Sequence, residues 1–236
     1  VRQSNGYIIG FAAAMTIVLG GLLSLAAVGL KDTQKKAIEL DTRKQILGAV
    51  TDISAETPDR ILEIFNTQIE GLVVNSKGEM IDGVDASKVE VAREFKKPVE
   101  ERQLPVFKYT DTNDAVSYIL PMYGNGLWNN IWGFLALESD GNTVKGISMD
   151  HTGETPGLGA RITSDEVQER YNGKKIFEGA NLVSIQMMKG ENNPSLSNHQ
   201  VDGMSGATLT ADGVNDMLEN YLSYYKAFLE KSVING

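Results

Sequence analysis

From Tyr7 to Leu30 the chain is almost wholly apolar, and no charged residue occurs between Gln3 and Leu30. A hydrocarbon core is crossed by about 20 residues of helix, so this run predicts a transmembrane anchor over 1–30. A cleaved signal peptide would have an apolar core of only about 7–15 residues, and the small residues around Ser24-Leu25-Ala26 do not outweigh that difference. Gly10, Ala13, Ala14, Gly20, Gly21 and Ser24 would let neighbouring helices approach closely. Beyond Leu30 the pattern turns polar, with Ala37, Leu40, Ile46, Leu47 and Val50 interspersed. This predicts a helical stalk over 31–56.

Thr57 before Pro58 marks a second helix whose buried side is Ile61, Leu62, Ile64 and Phe65. Gly71 to Val74 reads as a strand closed by a turn at Asn75-Ser76-Lys77-Gly78, and Arg93 to Arg102 as an exposed connection. Strand-like runs then follow at Leu104–Tyr109, Ala115–Tyr123, Ile131–Glu138 and Thr143–Met149, separated by Asp111–Asp114, Gly124-Asn125-Gly126 and Asp140-Gly141-Asn142. Turns of that kind between alternating strands predict an antiparallel meander. Thr163 with Glu166 has the capping-box spacing of a short helix, and Val183 to Lys189 reads as one more strand. After Thr210, apolar residues recur at Val214, Met217, Leu218, Tyr221, Leu222, Tyr225, Phe228 and Leu229, the spacing of one buried helical face. The whole is an α+β chain: a single N-terminal transmembrane helix, then a soluble domain over 57–236 with a mainly antiparallel sheet and flanking helices.

Composition narrows the chemistry. The net charge of −9 provides no basic stripe for nucleic acid or anionic lipid. With no cysteine there are no disulfides, thiolate metal sites or Cys-ligated clusters. His151 and His199 are too few for a His-rich metal site or a bis-His haem.

The stretch that invites function is Asp202-Gly203-Met204-Ser205-Gly206-Ala207-Thr208, with Leu209-Thr210 and the long helix directly behind it. Gly203 and Gly206 let backbone pass close to a bound group, and Thr210 is the expected N-cap of a helix starting there. Unpaired N–H groups in the first helical turn suit a phosphate. Gly203 to Ala207 approaches the Gly-x-Ser-x-Gly elbow of serine hydrolases, but Ala207 replaces the final glycine and no histidine pattern supports a triad.

Asp-x-x-Ser-Gly-Ala-Thr ending at Thr208 resembles the flavinylation motif of the FMN-binding domain family, and Glu154-Thr155-Pro156-Gly157-Leu158-Gly159 resembles that family's second block. Together with the apolar N-terminus and the run Tyr123 to Gly133 around Trp128 and Trp132, nearly the whole chain is similar to the C-subunit family of sodium-pumping NADH:quinone oxidoreductases. The resemblance implies FMN joined through its phosphate to the Thr208 hydroxyl by a flavin transferase that uses FAD and recognises Asp202 and Ser205 to Thr208. It implies a cofactor site drawn from Asp202, Ser205, Gly206, Ala207, Thr208, Leu209, Thr210, Glu154, Thr155, Gly157, Leu158, Gly159 and Trp128, with no metal. It also implies electron transfer within a six-subunit membrane complex that oxidises NADH, reduces quinone and exports sodium. The homologous G subunit of Rnf-type ferredoxin:NAD oxidoreductases carries the same two blocks. A membrane-anchored FMN-binding module without redox duty is the third reading.

Charge and resemblance point to opposite orientations. Lys31, Lys35, Lys36, Arg43 and Lys44 follow the apolar run and only Arg2 precedes it, which by the positive-inside rule puts the domain in the cytoplasm. The resemblance implies a domain outside the bacterial cytoplasmic membrane, and that is the expectation adopted. Val1 is not an initiator Met, so the charge count at that end is open.

Overall fold

The computed structural model describes residues 4–234, so Arg2 and Gln3 lie outside the described residues. The chain divides into two compact units, Val1–Thr42 and Arg43–Gly236. Helix α1 (Asn5–Gly48) runs without a break through the apolar segment and the polar segment after it. Its apolar part is exposed along its whole length. Among the described residues it is the one helix long and apolar enough to cross a bilayer, which fits membrane anchoring.

In the second unit, the last turn of α1 buries Ile46 and Leu47. Helix α2 (Pro58–Gln68) starts as its sequence predicts, with the Thr57 hydroxyl accepting from the Arg60 N–H and Pro58 at the first helical position. It leads directly into β1 (Ile69–Val74). The segment expected to be an exposed connection is instead partly internal. Helix α3 (Val91–Glu94) buries Glu94, and Arg102 is buried because its guanidinium donates to the Lys97 and Phe95 carbonyls and lies over the Phe95 and Tyr224 rings.

Four further strands, β2 (Leu104–Thr110), β3 (Val116–Asn125), β4 (Asn130–Glu138) and β5 (Val144–His151), complete a five-stranded sheet in the order β1-β2-β3-β4-β5. Every pair is antiparallel, the meander the turns predict. Helix α4 (Asp165–Glu169) is capped at Ser164 without a side-chain bond. The Thr163–Glu166 capping box does not form, because the Thr163 hydroxyl donates backwards to the Ala160 carbonyl. Strands β6 (Phe177–Glu178) and β7 (Asn181–Leu182) form a small hairpin, while β8 (Gln186–Met187) pairs in parallel with β9 (Gln200–Val201). The expected strand over 183–189 is thus only two residues long.

Helix α5 (Thr208–Phe228) lies against β3 and buries Val214, Met217, Leu218, Tyr221, Leu222, Tyr225 and Phe228 as its spacing predicts, while Leu229, also buried, falls in the π-helical segment Leu229–Ile234 that follows. Three contacts fix its position. Gly213 leaves room for the Asn125 carbonyl, which a Cβ would strike. The Asn215 side chain accepts from the Met187 N–H at 2.7 Å and donates to the Met187 carbonyl at 3.0 Å. The buried Tyr225 hydroxyl reaches the Pro105 and Pro121 carbonyls at 2.8 and 3.1 Å, tying the helix to β2 and β3. Tyr225→Phe leaves those carbonyls without this partner and is expected to cost about 1–3 kcal/mol in urea unfolding, with the fold retained.

Candidate functional site

The N-terminus of α5 is where the two sequence blocks meet. The helix begins at Thr208, two residues before the expected Thr210, with Ala207 as N-cap and no capping side chain. Its first closing bond runs from the Ala211 N–H to the Ala207 carbonyl at 2.9 Å. The N–H groups of Thr208, Leu209 and Thr210 therefore precede any intrahelical acceptor. Thr208 is half-buried, and Ser205, Gly206 and Leu209 are exposed.

Thr210 is not a cap. Its side chain is buried at 1 % exposure, and its hydroxyl donates to Oε2 of Glu154 at 2.6 Å. Glu154 is itself buried, and its Oε1 accepts from the Trp128 N–H at 2.9 Å. Gly126 and Gly159 flank this carboxylate so tightly that a Cβ on either would collide with it. Burial pushes the Glu154 carboxyl up. Hydrogen bonds from Thr210, Trp128 and Asn129, with His151 beside it, outweigh that and hold it below the ordinary glutamate value. One ionised carboxylate thus joins the β3–β4 hairpin, the loop after β5 and the first turn of α5.

The loop after β5 is a tight turn in which Pro156 and Gly157 are the central residues. Gly157 has φ +75°, and the Leu158 N–H returns to the Thr155 carbonyl at 3.1 Å. The Ala160 N–H goes to the same carbonyl at 3.1 Å, so these two amides face inward rather than towards a ligand. Thr155 takes a hydrogen bond from the Trp128 ring nitrogen at 3.1 Å. Leu158 is exposed and overlies Gly206, where a Cβ would come within 3.0 Å of its side chain. Gly206 also has φ +75°, a conformation L-residues with a side chain rarely adopt.

Asp202 and Gly203 hold the turn from behind. The Asp202 carboxylate accepts from the Asn192 N–H at 2.6 Å, the Asn193 N–H at 3.1 Å and the Asn193 side chain at 2.6 Å. Burial raises the Asp202 pKa and these bonds lower it by more, for a net depression. At Gly203 the group passing close is the chain's own backbone, the Met188 and Gly190 carbonyls, rather than a ligand. Arg170 donates to the carbonyls of both Asp202 and Gly203.

Periodicity and motif left several of these residues unmarked. Arg170, Arg161 and Glu191 form an ion-pair cluster behind the turn, with Arg161 2.6 Å from Glu191. Glu191 in turn accepts from Ser205, and with Arg161 this keeps its carboxyl below the ordinary range. No spacing rule connects residues so far apart in sequence. His151 accepts the Glu154 N–H on Nδ1 at 3.1 Å, and the His199 ring bonds to the Lys175 carbonyl. Among the described hydrogen bonds both histidine rings meet backbone groups, and neither meets Ser205.

The arrangement suits a phosphate-linked, flat aromatic cofactor. A half-exposed hydroxyl stands at a helix N-terminus with free N–H groups. Trp128, Leu158 and Leu209 are 68, 41 and 59 % exposed and leave apolar surface open on the hairpin, the loop and the first turn of α5. The fold is that of an FMN-binding flavoprotein: the FMN-binding domain family matches residues 126–223, which contain the hairpin, the loop and the motif. The chain is 33 % identical to the C subunit of the Na(+)-translocating NADH-quinone reductase of Vibrio campbellii (strain ATCC BAA-1116), over 94 % of this chain and 90 % of that one. The crystal structure of the C subunit from Parabacteroides distasonis ATCC 8503 superposes with a TM-score of 0.77 at 35 % identity, covering 86 % of this chain and 98 % of that one. Shewanella oneidensis NqrC gives 0.72 at 26 %, covering 83 and 98 %. The chain belongs to the family of Na(+)-translocating NADH-quinone reductase C subunits, and its role is that of one subunit in a larger oxidoreductase.

Two outcomes test the geometry. Ala211→Pro removes the first closing bond of α5 and is expected to cost about 3 kcal/mol or more, whereas Leu209→Pro, in the first turn, leaves the thermal midpoint nearly unchanged. A folded pKa below the unfolded one means that Glu154 stabilises fully above the ordinary glutamate range, and that this contribution is lost as pH falls through its depressed value. The stability deficit of Glu154→Gln in urea unfolding should therefore be largest near neutrality and shrink in acid.

Proposed function

We propose that the chain carries FMN in phosphodiester linkage to Thr208 and serves as an electron-transfer subunit of a six-subunit membrane complex that oxidises NADH, reduces quinone and exports sodium. FMN, when bound, supplies one- and two-electron redox chemistry. The observation that carries this reading is the placing of the Thr208 hydroxyl. It opens α5 beside unpaired N–H groups, with Leu158 against Gly206 and Trp128 against Thr155. Those N–H groups and the helix dipole would stabilise the phosphodiester's charge by about 0.3–1 kcal/mol. Trp128, Leu158 and Leu209 would hold the ring, and Gly206 would give the phosphate its approach. Asp202, Ala207, Gly159, Thr210 and Glu154 would act by fixing the turn rather than by touching the cofactor, and Ser205 through its bond to Glu191.

Attachment needs a flavin transferase and FAD. The Thr208 oxygen attacks the phosphorus on the flavin side of the diphosphate, that P–O bond breaks, AMP leaves and the hydroxyl proton passes to solvent. In this reading residues 1–30 anchor the chain in the bacterial cytoplasmic membrane, 31–56 form a stalk whose part from Arg43 on belongs to the same compact unit as the domain, and 57–236 form the domain, facing the periplasm or cell exterior. A cofactor held there could not be replaced readily, which gives a covalent tether its use.

Intact mass after coexpression with the transferase tests the linkage. The expected gain is the mass of FMN less one water, mapping to the peptide that contains Thr208 and absent from Thr208→Ala. No gain, or the same gain in Thr208→Ala, overturns the proposal.

A further inference from the structure

The Glu154 carboxylate is the end of a longer relay. It starts at Trp132 on β4, whose ring nitrogen donates to Oε1 of Gln45 at 2.9 Å. Gln45 lies in the last turn of α1, within the same compact unit, and its amide donates to Oδ2 of Asp150 at 3.0 Å. The other Asp150 oxygen accepts the His151 N–H at 2.7 Å. His151 Nδ1 accepts the Glu154 N–H at 3.1 Å, and Glu154 takes the Thr210 hydroxyl and the Trp128 N–H. Each group has the donor or acceptor its neighbour requires, and the two bonds of Gln45 fix which way its amide faces. Trp132 and Asp150 are a cross-strand pair, so the Gln45 amide spans two strands at once.

The loop between His151 and Glu154 has only Thr152 and Gly153, both exposed. Among the described hydrogen bonds, this loop is tied by the Thr152 N–H to the Asn130 carbonyl at 3.0 Å and by the Glu154 N–H to the His151 ring. Where that backbone sits sets how far the carboxylate reaches towards Thr210 and Trp128. Thr210 lies two residues after Thr208 in the first turn of α5, and Trp128 bonds to the loop whose Leu158 overlies Gly206.

The structure assigns Gln45, Asp150 and His151 as positioning residues for a flavin on Thr208, acting through Glu154, so that the last turn of α1 helps set the flavin's environment. This rests on the proposed attachment at Thr208. The relay would make the cofactor responsive to the end of the helix that precedes the domain, without any residue of that helix touching it.

The test uses the full chain coexpressed with the transferase, with His151→Leu, His151→Asn and Gln45→Leu compared with the parent. Two readouts are taken beside the thermal midpoint: circular dichroism of the bound flavin's visible bands, and hydrogen exchange at the Trp128 amide, which needs no flavin. His151→Leu and Gln45→Leu are expected to keep the fold and the flavin, to change the flavin dichroism, and to lower Trp128 protection roughly tenfold, about one hydrogen bond's worth. Asn offers Oδ1 where the imidazole offers Nδ1, so His151→Asn should restore both. Unchanged dichroism and protection in folded His151→Leu overturns the relay, and a response to His151 but not to folded Gln45→Leu overturns the part assigned to α1. Should Gln45→Leu fail to fold, the two His151 variants decide. If the parent takes up no flavin, the attachment proposal fails while Trp128 exchange still reads the relay.

Discussion

A single buried negative charge organises this site. Burying a carboxylate is costly unless its oxygens are met by donors, and Glu154 is met by a hydroxyl from α5 and backbone N–H groups from the β3–β4 hairpin. Those donors come from segments far apart in sequence, so satisfying the charge requires all of them to arrive together. The glycines at 126 and 159 show the same requirement from the steric side, since a side chain at either position would occupy the carboxylate's place. Outside this junction stand the half-buried Thr208 and the exposed Leu209, Leu158 and Trp128.

The rest of the domain serves that junction. The meander gives β3 and β4 a fixed register, which sets where their hairpin ends. Asn215 and Tyr225 lock α5 along β8 and across β2 and β3, so the helix cannot slide its first turn away from the loop. Behind the motif, Asp202 and Arg170 tie the turn to its own neighbouring loops with charge-assisted bonds. Rigid support behind and an open face in front is the arrangement expected where a cofactor must be held without being enclosed.

Much of this was legible in the residues, for reasons of period and punctuation. The meander follows from alternation and turn residues, the face of α5 from its three-and-four spacing, and the two blocks that meet at the start of α5 are marked by their motifs. Thr210 looks like a cap, but the helix begins two residues earlier, at Thr208. Nothing in local sequence reveals that the Thr210 hydroxyl is claimed by Glu154, 56 positions earlier. Arg93 to Arg102 looked exposed because it is charged, whereas Arg102 is buried over two aromatic rings, one of them from the distant α5. Gly203 looked like room for a ligand and proved to be room for two backbone carbonyls. In these cases a long-range partner overrides a local rule.

Thr208 is presented by a junction built around Glu154, and a crystal structure of the flavinylated chain tests that most directly. It should show the phosphate on the Thr208 oxygen at the mouth of α5, the ring against Leu158 and Trp128, and the Glu154–Thr210 bond intact beneath. Electron density for the phosphate on any other residue, or a flavinylated site in which Glu154 has left Thr210, would contradict it.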